Sequence, residues 1–237
     1  MSDRDDAMGF KPYTLHIKFY SPCVYTTPIT LDAVIAWCIA KRKAADEQYL
    51  GFYQMPGSVP ETEGLNQLNR VIKHVVGGYG VPVASYMQSD TEPIQFAESW
   101  KTRFESKFAH LCNFGGGRRR IDTASGFYRS YNMPLPAKSI DRCWFAFIGD
   151  GAAVLDLLQN EVVGICKKVG EGFGWLDQVE LYEASWTWQQ ICRMRPFPKR
   201  FADGSDHDIG VSDQQQAVCG WKPPYWLRRN IEVCYVP

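Results

Sequence analysis

No run of apolar residues in this 237-residue chain approaches the roughly eighteen to twenty that a spanning helix needs, and the longest, Ala33 to Ala40, is less than half that length. Net charge is missing too: 26 Lys and Arg balance 26 Asp and Glu, so no global field draws the protein toward a polyanion. There is no low-complexity tract, and the first residues, MSDRDDAMGF, are acidic and carry no apolar core of a signal peptide. A cytosolic location is therefore expected. No Gly-x-Ser-x-Gly elbow is present, which leaves Ser-His-Asp hydrolysis without its nucleophile motif.

Cysteine is not scarce, with 8 residues, but the regular spacing of a disulfide scaffold is absent in a long, unsecreted chain. Reduced thiols packing as small hydrophobes are expected. Paired metal ligands are lacking as well, since His110 and Cys112 have no second pair of matching spacing. The chain is long enough to bury roughly 70–75% of its unfolded surface without a metal or a cofactor, and none is expected. Apolar residues at 45% and charged residues at 22% are ordinary for a globular protein.

The charges that are present are segregated. Between Asn113 and Cys143 six bases (Arg118, Arg119, Arg120, Arg129, Lys138, Arg142) face two acids, Asp122 and Asp141. Arg193 to Arg200 holds four bases and Lys222 to Arg229 three, with no acid in either segment. The compensating acids gather at the N-terminus and at Asp203, Asp206, Asp208 and Asp213. Such clustering suits a local anionic ligand, with solvated charged faces as the plain alternative.

Periodicity supplies the elements. Tyr13 to Tyr20 alternates, Leu15, Ile17 and Phe19 against His16, Lys18 and Tyr20, as a half-buried strand does. Thr27 and Pro28 suit the start of a helix whose Leu31, Val34, Ile35, Cys38 and Ile39 form one stripe. A second helical stripe runs through Leu65, Leu68, Ile72 and Val76, ending at Gly77-Gly78. Val81 to Met87 reads as a strand, Glu92 to Cys112 as helix, Phe114 to Tyr131 as a projecting hairpin and Arg142 to Ile148 as a central strand. Asp150 suits the N-cap of a helix carrying Val154, Leu157 and Leu158, and Val179 and Leu181 alternate with Glu180 and Tyr182 in a last strand.

That order predicts an α+β, ferredoxin-like βαββαβ core with helices on one face of an antiparallel sheet. The domain would span residues 13–185, with a thumb inserted at about 113–135, after a flexible acidic stretch at 1–12. An aromatic-rich extension, 186–237, would pack on the same domain. The open face of the sheet would display His16, Lys18 and Tyr20, as in single-stranded RNA readers.

The sharpest local signal is Gly164-Ile-Cys-Lys-Lys-Val-Gly170-Glu-Gly172-Phe-Gly174-Trp175. Gly170, Gly172 and Gly174 allow unusual backbone conformations and close approach to a ligand, with Lys167 and Lys168 beside them. It is neither a Walker loop nor a dinucleotide fingerprint, and the plain alternative is a tight turn. Placed between the last helix and the last strand, it resembles the glycine-rich loop of the CRISPR-associated RAMP superfamily. Pro28 to Trp37 is similar to the start of that superfamily's first helix, and Ser125 to Tyr131 to its thumb. Gly220 to Trp226, GWKPPYW, is similar to the Cas-five-like subunit of type IV effector complexes.

The resemblance implies a non-catalytic, prokaryotic subunit that caps the 5′ handle of a guide RNA. It would abut Cas-seven-like backbone subunits, neighbour a large Cas-eight-like subunit and meet target DNA through the complex. RNA contacts would come from Lys167, Lys168 and the glycines, from Arg118, Arg119, Arg120 and Arg129, and from Phe127, Tyr128 and Tyr131 by stacking. A metal-independent endoribonuclease of the same fold, with His16 as its candidate base, is the alternative; otherwise His16 is an exposed strand residue or bonds RNA. A protein-interaction scaffold is a third reading. Trp221 and Trp226 around Lys222-Pro-Pro-Tyr225 suit either an exposed aromatic anchor or packing on the sheet.

Overall fold

The computed structural model describes residues 9–46, 67–75, 80–102, 131–166, 169–202, 209–211, 213–223, 225 and 227–237. The chain is mixed α/β, built on antiparallel sheets with few helices. Strand β1 (Lys11–Tyr25) leads into helix α1 (Leu31–Asp46). Two short strands follow, β2 (His74–Val75) and β3 (Val81–Pro82), then the long β4 (Ile94–Thr102) and β5 (Tyr131–Gly149). Helix α2 (Gly151–Glu161) and strand β6 (Leu176–Glu183) complete the main layer pair, whose sheet has the order β4-β5-β1-β6.

Alternation places Leu15, Ile17 and Phe19 of β1 and Cys143, Phe145 and Phe147 of β5 on one face. They share a core with Leu31, Ile35, Cys38 and Ile39 of α1 and Val154, Leu157 and Leu158 of α2. The Asp150 side chain caps α2, accepting from the Ala153 amide at 3.0 Å. Helix α1 begins at Leu31, three residues later than the Thr27 cap predicts. The cause is tertiary: Thr30 forms a bridge with Tyr86, and Ile29 accepts from the Met87 amide, which holds this stretch extended.

Two further expectations change. The helix read from Leu65 to Val76 is helical among its described residues only at Gln67–Leu68; a turn at Asn69–Val71 ends it, and the chain runs into β2. Leu68 and Ile72 are buried as the stripe requires, but Ile72 bridges Gly149 and the Lys73 amide donates to Ile148. The stretch read as helix from Glu92 carries β4 instead, paired with β5 from Ile94↔Ser139 to Thr102↔Tyr131. Weak local preference yields here to an available sheet edge.

The strand expected at Val81 to Met87 lies along that same edge. Ala84 bridges Phe147 and Gln88 bridges Trp144, so the chain from 83 to 102 follows β5 as one interrupted strand. Eleven residues of the edge, 84 to 94, oppose nine of β5, 147 to 139; one extra residue lies between the Ala84 and Gln88 bridges and the other between Gln88 and Ile94.

The C-terminal part covers a portion of the other sheet face. Trp186 stacks on Trp144 at 6.0 Å, and its indole donates to Thr14 at 2.8 Å. After Trp186, Thr187 closes a capping box and Trp188 opens the short helix α3 (Trp188–Cys192). Strands β7 (Phe197–Pro198), β8 (Gln215–Gly220) and β9 (Ile231–Val236) form a second sheet, β7-β9-β8, with helix α4 (Lys199–Ala202) following β7. Trp221 is buried in its core, so packing is the correct alternative for that residue.

Candidate nucleic-acid interface

The glycine-rich segment is a hairpin fastened to a bulge in β1. Register against β5 slips between Lys18 and Cys23. The displaced residues reach sideways: the Tyr20 amide donates to Trp175 at 2.8 Å, the Gly174 amide to Pro22 at 3.0 Å, and the Trp175 amide to the Ser21 hydroxyl at 3.2 Å. The Cys23 thiol donates to Ile165 at 2.9 Å. Gly164 and Trp175 bridge at the hairpin base, and the Ile165 amide donates to Gly174 at 2.9 Å.

The glycines divide by role. A Cβ at Gly164 would lie 2.7 Å from the Gly174 carbonyl, and one at Gly174 would lie 2.6 Å from that of Ile165. These two glycines let the hairpin close. At Gly170 and Gly172 a Cβ would meet nothing of the described residues within 4 Å, so the tip stands clear of them. Gly172 has φ +94, which only glycine adopts without strain. The Trp175 indole donates to Val169 at 3.0 Å, which lays the ring against the loop while it stays 44% exposed.

Beside the hairpin, the uncovered half of the sheet presents two rows across three strands. His16 stands between Trp144 and Glu180, and Lys18 between Arg142 and Gln178. With Asp90 from the edge turn, His16, Lys18, Arg142, Gln178 and Glu180 line a groove of about 220 Å³. The face is not uniformly basic. Lys18 is paired with Asp177 at 2.6 Å, the Trp144 indole donates to Asp90 at 2.8 Å, and the Tyr182 hydroxyl donates to Glu180 at 2.8 Å. Tyr182 also meets His16 edge-on, with ring centroids 5.5 Å apart. Tyr20 is 80% and Tyr182 53% exposed, so aromatic area is available on this face.

The Tyr20–Trp175 backbone bond brings Tyr20 to the hairpin base beside Gly174, whereas His16 and Lys18 lie further along β1, opposite Glu180 and Gln178 of β6. Tyr131 opens β5 opposite Thr102 at the far end of the β4–β5 ribbon. Lys167, Lys168, Arg118, Arg119, Arg120, Phe127, Tyr128, Arg129 and Trp226 lie outside the described residues, as do Cys112, His110 and His207. Asp90, Arg142, Gln178 and Glu180 were not among the site residues expected. Alternation gave the face of Glu180, but only the register of β1 against β5 and β6 sets it beside Arg142.

Of the remaining histidines, His74 is partly buried, with its Nδ1 2.8 Å from the Ile72 carbonyl. Burial pushes it down to about 4, so the ring is neutral at ordinary pH. The described cysteines carry free thiols, and burial pushes Cys38 and Cys192 up to about 12. No helix of the described residues is long and apolar enough to cross a membrane, and no group of three metal-ligating side chains occurs among them.

Compared with protein families, residues 11–237 match the model of the CRISPR type IV associated protein Csf3. No curated protein matches the chain.

Proposed function

The chain belongs to the family of the CRISPR type IV associated protein Csf3, and from that premise we propose that it is the RNA-binding subunit holding the 5′ handle of the guide RNA in a type IV complex. Its role is positional and non-catalytic. The sheet order β4-β5-β1-β6, with every neighbouring pair antiparallel, supports the ferredoxin-like reading of the core, with β4, β5 and β6 as its second, third and fourth strands. In the RAMP superfamily that this core resembles, the glycine-rich loop follows the second helix, and here the hairpin follows α2.

One observation carries the reading. The hairpin base is locked to β1, yet the tip glycines Gly170 and Gly172 stand clear of the other described residues. A turn needed only for its own geometry requires glycine where φ is positive, as at Gly172. Gly170 has no positive φ, and a Cβ there would meet no atom of the described residues within 4 Å, so nothing among them requires a glycine at this position. Close approach of a polymer backbone supplies a reason for one. The arginines at 118–120 and Lys167 and Lys168 would then neutralise phosphates. Backbone subunits of the Cas-seven type and a large subunit are the proposed neighbours.

The test is direct. Gly170→Val should leave folding intact and weaken retention of guide RNA; unchanged RNA affinity in the folded variant contradicts the assignment of this loop.

A further inference from the structure

The groove on the open sheet face has a composition unlike a phosphate site. Asp90 and Glu180 line it together with Lys18, Arg142, Gln178 and His16, and Lys18 is already paired with Asp177. Two carboxylates at the wall repel a phosphodiester. At about 220 Å³ the groove is also smaller than the roughly 300–1,000 Å³ of an ordinary small-molecule site. It suits one planar unit of a polymer.

Its polar groups are poised to read such a unit. Among the described residues the side chains of Arg142 and Gln178 have no hydrogen-bond or ion-pair partner, and His16 has only its edge contact with Tyr182. Each carboxylate is held by one bond, Asp90 Oδ1 by the Trp144 indole and Glu180 Oε2 by the Tyr182 hydroxyl. Both are thereby oriented, and each keeps its second oxygen for a ligand. Acceptors and donors thus converge from three strands and a turn, beside an exposed tyrosine ring on which a base can stack.

We propose that this groove receives a single unstacked base of the bound RNA and reads it by its hydrogen-bonding edge, with guanine as the matching base. Guanine presents adjacent N–H donors, which a carboxylate accepts in pairs, beside the O6 and N7 acceptors that an arginine fork takes. Uracil, adenine and cytosine each lack one of these paired edges. The inference rests on the RNA-binding reading above and adds a base preference to it.

Short oligouridylates carrying one guanosine, adenosine or cytidine test it, titrated against the full-length chain. The guanosine probe should bind about tenfold more tightly than the others. Glu180→Gln and Arg142→Ala should each bring the ratio of guanosine-probe affinity to unsubstituted-oligouridylate affinity to about one, whereas Gly170→Val should weaken all probes alike and leave that ratio unchanged. Equal binding of every probe by the native chain overturns the base assignment and leaves RNA binding standing. A preference that survives both groove variants places the reader elsewhere and also overturns it. Binding to none of the probes removes the RNA-binding reading itself.

Discussion

The Arg195 guanidinium and the Asp32 carboxylate meet at 3.4 Å in the interior, with neither side chain reaching solvent. Arg195 also donates to the carbonyls of Pro82, Ala84 and Trp221, and the Tyr225 hydroxyl donates to the same Asp32 oxygen at 2.7 Å. Four stretches that lie far apart in sequence are fastened at this point: α1, the β3 edge, the α3–β7 connection and the start of the C-terminal loop. Burial opposes the charge on Arg195, and Asp32, Tyr225 and Cys192 together more than offset it, so the guanidinium is held above its ordinary range.

Removing one partner strands the other charge in a dry site. Arg195→Met should cost about 3–5 kcal/mol in denaturant unfolding. The loss in the double variant with Asp32→Asn should be smaller than the sum of the single losses. Arg195→Lys should not rescue, because an ammonium cannot reach the three carbonyls in the arginine's planar geometry. Additive losses would show that the pair does not act as a unit.

The glycine hairpin separates folding from binding. Gly174→Ala drives a methyl into the Ile165 carbonyl at 2.6 Å and needs a positive φ, so it should lower the melting temperature by several degrees. Gly170→Val should leave the melting temperature unchanged. Differential scanning fluorimetry distinguishes them; equal destabilisation by both would contradict the open tip.

His74 makes stability depend on pH. Its folded value near 4 lies below the ordinary imidazole value of 6.5, so the folded state binds fewer protons than the unfolded chain between those limits. Stability from this group is therefore full above pH 6.5 and is lost as the pH falls toward 4, by on the order of 3 kcal/mol. His74→Gln should flatten the unfolding curve over that window. A native chain equally stable at pH 7 and pH 5 would contradict a buried neutral ring.

The arginines at 118–120 give a fourth prediction. Their replacement by glutamate should weaken guide-RNA retention and its salt dependence together, because each phosphate contact releases counterions. His16→Ala should leave processing of guide precursors unchanged, since the role proposed is positional. Loss of processing in that variant would establish the endoribonuclease reading in its place.

What the sequence disclosed and what it withheld divide along physical lines. Strands β1 and β6 and helix α2 were legible because one face of each is buried, which writes a period of two or 3.6 into Leu15-Ile17-Phe19, Val179-Leu181 and Val154-Leu157-Leu158. β4 was not legible: its edge position demands little burial, with Ile94 and Phe96 both exposed, and β5 rather than local preference makes it a strand. The glycine loop announced itself by composition, yet only the folded backbone separates Gly164 and Gly174, which close the hairpin, from Gly170 and Gly172 at its tip. Likewise Arg195 read as part of the basic cluster from Arg193 to Arg200, and no sequence pattern singled out Asp32. Their pairing depends on contacts across 163 residues of chain, which no local pattern encodes.

The central claim is tested most directly by purifying the tagged chain with the products of its own operon and sequencing the nucleic acid it retains. The account predicts RNAs of uniform length sharing one 5′ end, accompanied by an excess of backbone subunits. A chain that co-purifies with those subunits but carries no RNA at low salt would contradict it.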